Sequence, residues 1–303
     1  MSESDGPAAA TSTVSVAIAQ FAPTSDRAAN LARISEMTGD AAARGADLIV
    51  FPEYSSFFVS PLDASLATAA EALDPGHPGP FVVAVTALAA AHDIVIVAGM
   101  LEAVGDAGRV HNTAIAVSGA GVLASAQKLH LYDAFGQRES DWVAAGVIAR
   151  PETFELGGMR FGLQTCYDLR FPEVSRRLAD AGADVALVPA EWVRGPLKEQ
   201  QWQTLVSARA IENTMYVVAA DHPPPIGVGH SMIVDPEGVA LAAIGTASDI
   251  ALAQLRRADL ERVRRANPAL ELRRFTVEAR GSGGRAALPT ASSPTDSALS
   301  AST

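Results

Sequence analysis

Short apolar runs alternate with helix-patterned stretches between residues 13 and 280, and this alternation most constrains the fold. Val14, Val16 and Ile18 share one face of a first strand. A helix is expected over 26–44, with Leu31, Ile34 and Met37 at helical spacing, Asp26 as N-cap and Gly45 as its stop. Residues 47–51 have the composition of a buried strand, ended by Pro52, which cannot continue a central ladder. Further strands are expected at 94–100, 111–117, 122–127, 154–156, 160–165, 184–189, 215–220, 230–234, 239–243 and 250–255, and helices at 172–181 and 200–213. Turn signals at Gly119-Ala120-Gly121, Gly157-Gly158 and Asp235-Pro236-Glu237-Gly238 join neighbouring strands as hairpins. Helices between strands, together with hairpins, predict an α/β fold of mixed sheets covered by helices.

The chain has 303 residues, 49% of them hydrophobic, enough for one large α/β domain or two small ones. A formal net charge of −11 argues against a nucleic-acid partner, because phosphate neutralisation needs a basic surface. No apolar run is long enough to span a membrane, and residues 1–12 lack the basic and apolar regions of a secretory signal. A cytoplasmic enzyme is therefore the expectation. Residues 1–12 and 281–303 are rich in small and polar residues and are expected to be disordered tails around a domain at 13–280.

Three polar side chains stand where apolar strands end, which in α/β sheets is where active sites assemble. Glu53 follows Leu48-Ile49-Val50-Phe51-Pro52, Lys128 follows Leu123-Ala124-Ser125-Ala126-Gln127, and Cys166 follows Phe161-Gly162-Leu163-Gln164-Thr165. Cys166 is the chain's one cysteine, so it forms no internal disulfide and no thiolate-rich zinc site. A thiol needs a base to attack an amide carbonyl, a carboxylate can take its proton, and an ammonium can stabilise the resulting oxyanion. Taken singly, each residue is equally readable as structural: a buried thiol, a turn glutamate and a solvated lysine.

The strings Phe51-Pro52-Glu53, Lys128-Leu129-His130-Leu131 and Cys166-Tyr167-Asp168-Leu169-Arg170-Phe171-Pro172-Glu173 resemble, in order and separation, the three signatures of the nitrilase superfamily of carbon–nitrogen hydrolases. Two later segments resemble it too, Ala208-Arg209-Ala210-Ile211-Glu212-Asn213 and Gly229-His230-Ser231-Met232-Ile233-Val234-Asp235-Pro236. The resemblance implies a four-layer α-β-β-α sandwich with two mixed sheets. It also implies Glu53 as general base, Lys128 as oxyanion stabiliser, Cys166 as nucleophile and Glu139 as the residue that holds Lys128. The amide N–H of Tyr167 would be a second oxyanion donor. Asp168, Arg170 and Glu173 are expected to form an ion-pair network around the nucleophile, and Arg209 and Glu212 to pair on a helix.

Tyr167-Asp168 after the cysteine resembles the amidase branches, including ω-amidases and deaminated glutathione amidases, rather than true nitrilases. The expected reaction is therefore hydrolysis of a small linear amide through a cysteine thioester, with release of ammonia. N-carbamoyl amine hydrolysis is the alternative, and a catalytically silent interaction protein of the same fold is a third reading. His130, Glu191, Trp192 and Arg194 are candidates for substrate contact, although His130 reads equally as a structural hydrogen-bonding residue. Glu191 would disfavour a substrate carboxylate beside it and Arg194 would favour one, and Gln127 replaces the arginine that often precedes the lysine. No cofactor or metal is expected, since His222 and His230 lack ligand-type partners at suitable spacing. The resemblance implies a homodimer or higher homo-oligomer. The arginines of 256–274 are expected to belong to a C-terminal arm that packs on a partner subunit rather than to a nucleic-acid patch.

Overall fold

The computed structural model of the chain describes residues 12–105 and 108–279. The expected tails at 1–12 and 281–303 lie outside these residues, apart from Ser12. The first strands are β1 (Thr13–Gln20), β2 (Leu48–Val50), β3 (Val95–Ala103), β4 (Val110–Ser118) and β5 (Gly121–Gln127). They are followed by β6 (Thr153–Leu156), β7 (Met159–Leu163), β8 (Val185–Pro189), β9 (Tyr216–Ala220), β10 (Met232–Val234), β11 (Ala240–Ala243) and β12 (Asp249–Arg256). The helices are α1 (Arg27–Ala43), α2 (Ser65–Ala69), α3 (Pro80–His92), α4 (Pro172–Asp180), α5 (Lys198–Asn213) and α6 (Arg257–Ala266).

Two six-stranded sheets result, ordered β12-β1-β2-β3-β4-β5 and β11-β10-β9-β8-β7-β6. Parallel pairing is confined to the centres, β1-β2-β3 in one sheet and β7-β8-β9 in the other, while the flanking pairs are antiparallel. The period-2 pattern decides which face each side chain takes. Val14, Val16 and Ile18 of β1 enter the core between the sheets, against Phe161, Leu187 and Val218 of the second sheet. Ala17 and Ala19 point the other way, into the layer formed with Ile34 and Met37 of α1 and Val85 of α3. On the far side, Ala186 and Val188 of β8 pack with Leu178 of α4 and with Trp202 and Val206 of α5. Three apolar layers separated by two sheets make the four-layer α-β-β-α sandwich.

Local chemistry accounts for most element ends. Asp26 caps α1, its carboxylate accepting from the N–H groups of Ala28 and Ala29 at 3.0 Å each. Gly157 and Gly158 both take positive φ, +54° and +76°, in the two-residue turn that pairs Leu156 with Met159. Two helices fall between residues 54 and 93, a stretch without clear helical period. α3 carries Phe81, Val82, Val83, Val85 and Leu88 around its circumference, which blurs the period, and only Pro80 at its first turn and the left-handed Asp93 at its end punctuate it. α5 begins at Lys198, two residues before the expected start at 200. β7 ends at Leu163, short of the expected 165, so Gln164 and Thr165 form a bridge to Cys166. His230 likewise stands outside β10, with φ of +54°.

The C-terminal arginines find acids in their own chain. Arg257 and Arg264 both reach Asp184, at 3.2 and 2.7 Å, Arg262 pairs with Glu237 at 2.7 Å and Arg273 with Asp180 at 2.6 Å. Among the described residues, no helix is long and apolar enough to cross a membrane.

Candidate active site

The central parallel strands run to one edge of the sandwich, and the polar residues that follow them converge there. Glu53 comes three residues after β2, Lys128 directly after β5, Cys166 three residues after β7, and Glu191 two residues after β8. Sharp backbone turns aim the side chains. Tyr54, next to Glu53, has φ of +58° and Cys166 has φ of +43°, left-handed values that cost a residue with a Cβ about 1–2 kcal/mol. Gly99 of β3 lies against the Glu53 turn so closely that an added Cβ would stand 2.5 Å from the nitrogen of Tyr54 and 2.7 Å from Cα of Glu53.

Lys128 is the hub. Its Nζ lies 2.9 Å from Oε1 of Glu53 and 2.8–2.9 Å from both oxygens of Glu139, and all three side chains are buried. Glu139 is held in turn by the Tyr54 hydroxyl at 2.7 Å and by the N–H of Tyr132 at 2.6 Å. Asn112 of β4 donates to Oε1 of Glu53 at 2.6 Å and to Oε1 of Glu139 at 3.3 Å. The second oxygen of Glu53 accepts from the N–H of Glu191 at 2.7 Å. The Cys166 thiol points at the carbonyl of Glu191, 3.3 Å away, with the Glu53 carboxylate near enough to act on it electrostatically.

Burial and mutual charge push the two glutamates apart. Burial raises the pKa of Glu53 above its ordinary value, and Glu139 adds to this, although Lys128 opposes both. Burial acts on Glu139 too, but there the Lys128 charge and the hydrogen bonds from Lys128, Tyr132 and Tyr54 outweigh it, so its pKa falls. Desolvation would lower Lys128, yet the two carboxylates hold it well above the usual lysine range. Burial, followed by the charge of Glu53, raises the Cys166 thiol well above normal. The resting set is thus a neutral thiol, a permanent ammonium, a permanent carboxylate at Glu139 and a carboxylate at Glu53 with enhanced basicity. Two carboxylates with opposed shifts are the arrangement from which a base and an electrostatic anchor are made.

Residues 15–265 match the family model described as carbon–nitrogen hydrolase. The chain belongs to this family. It is a hydrolase of carbon–nitrogen bonds other than peptide bonds. A deaminated glutathione amidase of Synechocystis is 34% identical over 267 residues, covering 81% of this chain and 93% of that protein. Hydrolase Rv0480c of Mycobacterium tuberculosis is 38% identical over 258 residues, 79% of this chain and 88% of its own. The solved structure of Saccharomyces cerevisiae Nit3, described as a member of the nitrilase superfamily, superposes with a TM-score of 0.77 at 27% identity, covering 88% of this chain and 98% of that one. A mutant of the Nesterenkonia amidase, 27% identical with a TM-score of 0.71 over 85% of this chain and 95% of that one, carries the acetamide moiety of fluoroacetamide on its active-site cysteine.

The candidate site opens into a cavity of about 410 Å³. Cys166, Lys128, Glu139, Tyr167, Glu191, Trp192 and Arg194 all line it. Both Glu191 and Arg194 therefore face it, the first half-buried and the second exposed. Burial and the neighbouring Glu53 raise the pKa of Glu191 well above the carboxylate range. His130 is not part of the cavity wall: its ring stacks on Phe171 at 3.6 Å and its Nδ1 meets Asp168 at 2.7 Å, against the loop that carries Cys166. Asp168 also accepts from the N–H groups of Leu129 and His130, at 3.3 and 2.9 Å, tying the Lys128 loop to the Cys166 loop. The expected network of Asp168 with Arg170 and Glu173 is thus corrected. Arg170 instead donates to Gln201 at 2.6 Å and lies over the Trp192 ring, and Glu173 is exposed. Arg209 does pair with Glu212, at 2.8 Å, while its Nε binds the carbonyl of Leu169. Gln127 donates to Glu102 at 3.1 Å.

Several functional positions escape the sequence patterns. Asn112 and Tyr54 complete the carboxylate shell, and Tyr132, Arg170 and Lys198 line the cavity wall. Asp221, just past β9, accepts from the N–H groups of Trp192 and Gly229 at 2.6 and 3.0 Å, and His222 meets the carbonyl of Glu53 at 2.7 Å. The strand-end rule that singles out Cys166 applies equally to these last two. Among the described residues, no group of three or more His, Cys, Asp and Glu side chains is arranged to hold a metal ion.

Proposed function

We propose that the enzyme hydrolyses small linear amides carrying a distal carboxylate, by way of a thioester on Cys166. The observation that carries the reading is the buried bridge Glu53–Lys128–Glu139 beside the thiol, at the floor of a cavity whose wall is cationic. Within that wall Asp141 is matched by Arg138 and Glu139 by Lys128, burial raises the pKa of Glu191, and Arg170, Arg194 and Lys198 have no ion-paired acid among the described residues.

Glu53 takes the proton from Sγ as the sulfur attacks the amide carbon. The oxyanion is stabilised by the Lys128 ammonium and by the N–H of Tyr167, a pairing worth about 3–4 kcal/mol per donor in comparable sites. Glu53 then returns the proton to the departing nitrogen, the C–N bond breaks, and the thioester remains. Water loses a proton to the same carboxylate and attacks the thioester carbon. Collapse frees the acid, and Glu53 reprotonates Cys166. Glu139 fixes the Lys128 ammonium throughout.

The names of several relatives point to the amide of deaminated glutathione, while the residues after Cys166 resemble those of ω-amidases as well. Initial rates on a panel of dicarboxylic monoamides, deaminated glutathione, nitriles and N-carbamoyl amino acids test the reading. Amides bearing a carboxylate are expected to be fastest; a faster carbamoyl substrate would transfer the assignment to carbamoyl hydrolysis. We also infer a homodimer, supported by the exposed Leu272 and Phe275 at the C-terminal end of the described chain. Light scattering, with Phe275→Ser as comparison, measures it.

A further inference from the structure

We propose that Lys198 sets substrate selectivity, its ammonium receiving the carboxylate at the end of the substrate remote from the scissile amide. The inference rests on the ω-amide reading above and assigns its anion-binding residue. Lys198 lines the same cavity as Cys166, yet it is only 6% exposed. Its Nζ makes one side-chain hydrogen bond, to the hydroxyl of Tyr132 at 2.9 Å, and sits 3.7 Å from the centre of the Phe135 ring and 5.1 Å from that of Tyr132. Among the described residues, no carboxylate lies within 4.0 Å of it.

A lysine in this position is electrostatically costly. It opens α5, where the helix dipole is positive and favours anions. The Arg170 guanidinium shares its aromatic surroundings, lying 5.9 Å from the Phe135 ring and 4.8 Å from the Trp192 ring. Burial first, and then Arg170, pull the Lys198 pKa down. Among the described residues, no acid is ion-paired with it: burial raises the Glu191 carboxyl well above its ordinary value, so what it contributes to holding the Lys198 charge is outweighed, and burial pushes the Tyr132 phenol up to about 12. The aromatic faces offset part of the cost, as cation–π contacts do, but two N–H donors of the ammonium are left to a ligand. An anionic group reaching this wall from an amide at Cys166 meets those donors.

The side chain can be altered without disturbing what anchors the loop. The indole N–H of Trp192 donates to the backbone carbonyl of Lys198 at 3.0 Å, and that bond survives substitution. Steady-state rates of the wild type, Lys198→Met and Lys198→Arg should be compared on glutaramate and on pentanamide, which has the same chain with a methyl in place of the carboxylate. In Lys198→Met the ratio of kcat/KM for glutaramate to that for pentanamide is expected to fall about 10- to 100-fold, chiefly through KM, and Lys198→Arg to recover part of it. An unchanged ratio overturns the proposal. Binding separates this outcome from failure of the ω-amide reading. Calorimetric titration of glutarate into Cys166→Ala protein, with and without Lys198→Met, needs no turnover. A loss of at least about 10-fold supports the assignment; equal binding to both proteins refutes it while leaving the ω-amide reading standing, whereas no binding to either overturns that reading and the assignment with it.

Discussion

Replacing Glu139 by Gln tests the division of labour between the two glutamates. Glu139 is purely an acceptor: one oxygen receives Lys128, the Tyr54 hydroxyl and the Asn112 amide, and the other receives Lys128 and the Tyr132 N–H. A glutamine in the same rotamer must turn its amide nitrogen toward one of these sets, so at least one buried donor faces another donor. Each buried hydrogen bond to a charged group is worth about 1.5–3 kcal/mol. If one such contact at Lys128 is lost in the transition state, kcat/KM falls about 10- to 200-fold. Stability falls as well. Breaking a buried ion pair costs about 3–5 kcal/mol, and the lower end applies because Glu53 still holds Lys128 from 2.9 Å.

The pH profile makes the test specific. Glu53 must be ionised to accept the thiol proton, and its pKa is raised by burial and by the charge of Glu139. Activity is therefore present above the raised pKa and lost as pH falls through it, so the acid limb of kcat/KM lies above the ordinary glutamate value of 4.5. Removing the Glu139 charge lowers the Glu53 pKa, and the limb moves to lower pH. Stopped-assay ammonia release between pH 4 and 8, paired with urea unfolding, gives both readouts. A variant with wild-type kcat/KM, or one whose acid limb moves upward, would refute the view that Glu139 anchors Lys128 and tunes Glu53.

Two further expectations concern the frame of the site. His222 is buried neutral, its pKa lowered by desolvation from 6.5 to about 4, so the unfolded chain binds the extra proton between these values. Its contribution is complete above the unfolded value and shrinks as pH falls toward 4, by about 2 kcal/mol between pH 7 and 5. Urea unfolding at both pH values should show a steeper loss for the wild type than for His222→Gln; parallel losses would contradict a neutral buried histidine. Gly99→Ala brings a methyl to within 2.5–2.9 Å of the backbone of Glu53 and Tyr54, where no flexible group can yield. Stability should drop about 1–3 kcal/mol from overpacking, and activity about 100-fold as Glu53 shifts by an ångström. Wild-type activity in the folded variant would show that the Glu53 turn is not held by this contact.

The legible and illegible parts of this molecule divide along a physical line. Period-2 patterning needs only neighbouring residues, so the strands and the polar residues ending them stand out, and Glu53, Lys128 and Cys166 do meet in one site. What lies one residue past a strand depends on backbone turns that patterning does not encode. The left-handed Tyr54 and Cys166 swing their segments toward each other, and His130, two residues from Lys128, ends up outside the cavity wall on Phe171. Asn112 sits inside a strand, and only its pairing across the sheet brings it to Glu53. Lys198 is the extreme case. Two residues before the expected helix start at 200 it reads as one more polar loop residue, whereas the helix begins at Lys198 itself, after the left-handed Leu197 at φ of +60°, and buries it. The residues proposed for bond chemistry thus stand out because they follow closely on regular elements. Those proposed to choose the substrate are fixed by loop geometry, which is why the proposed selectivity is to be tested at Lys198 and not at the motif around Cys166.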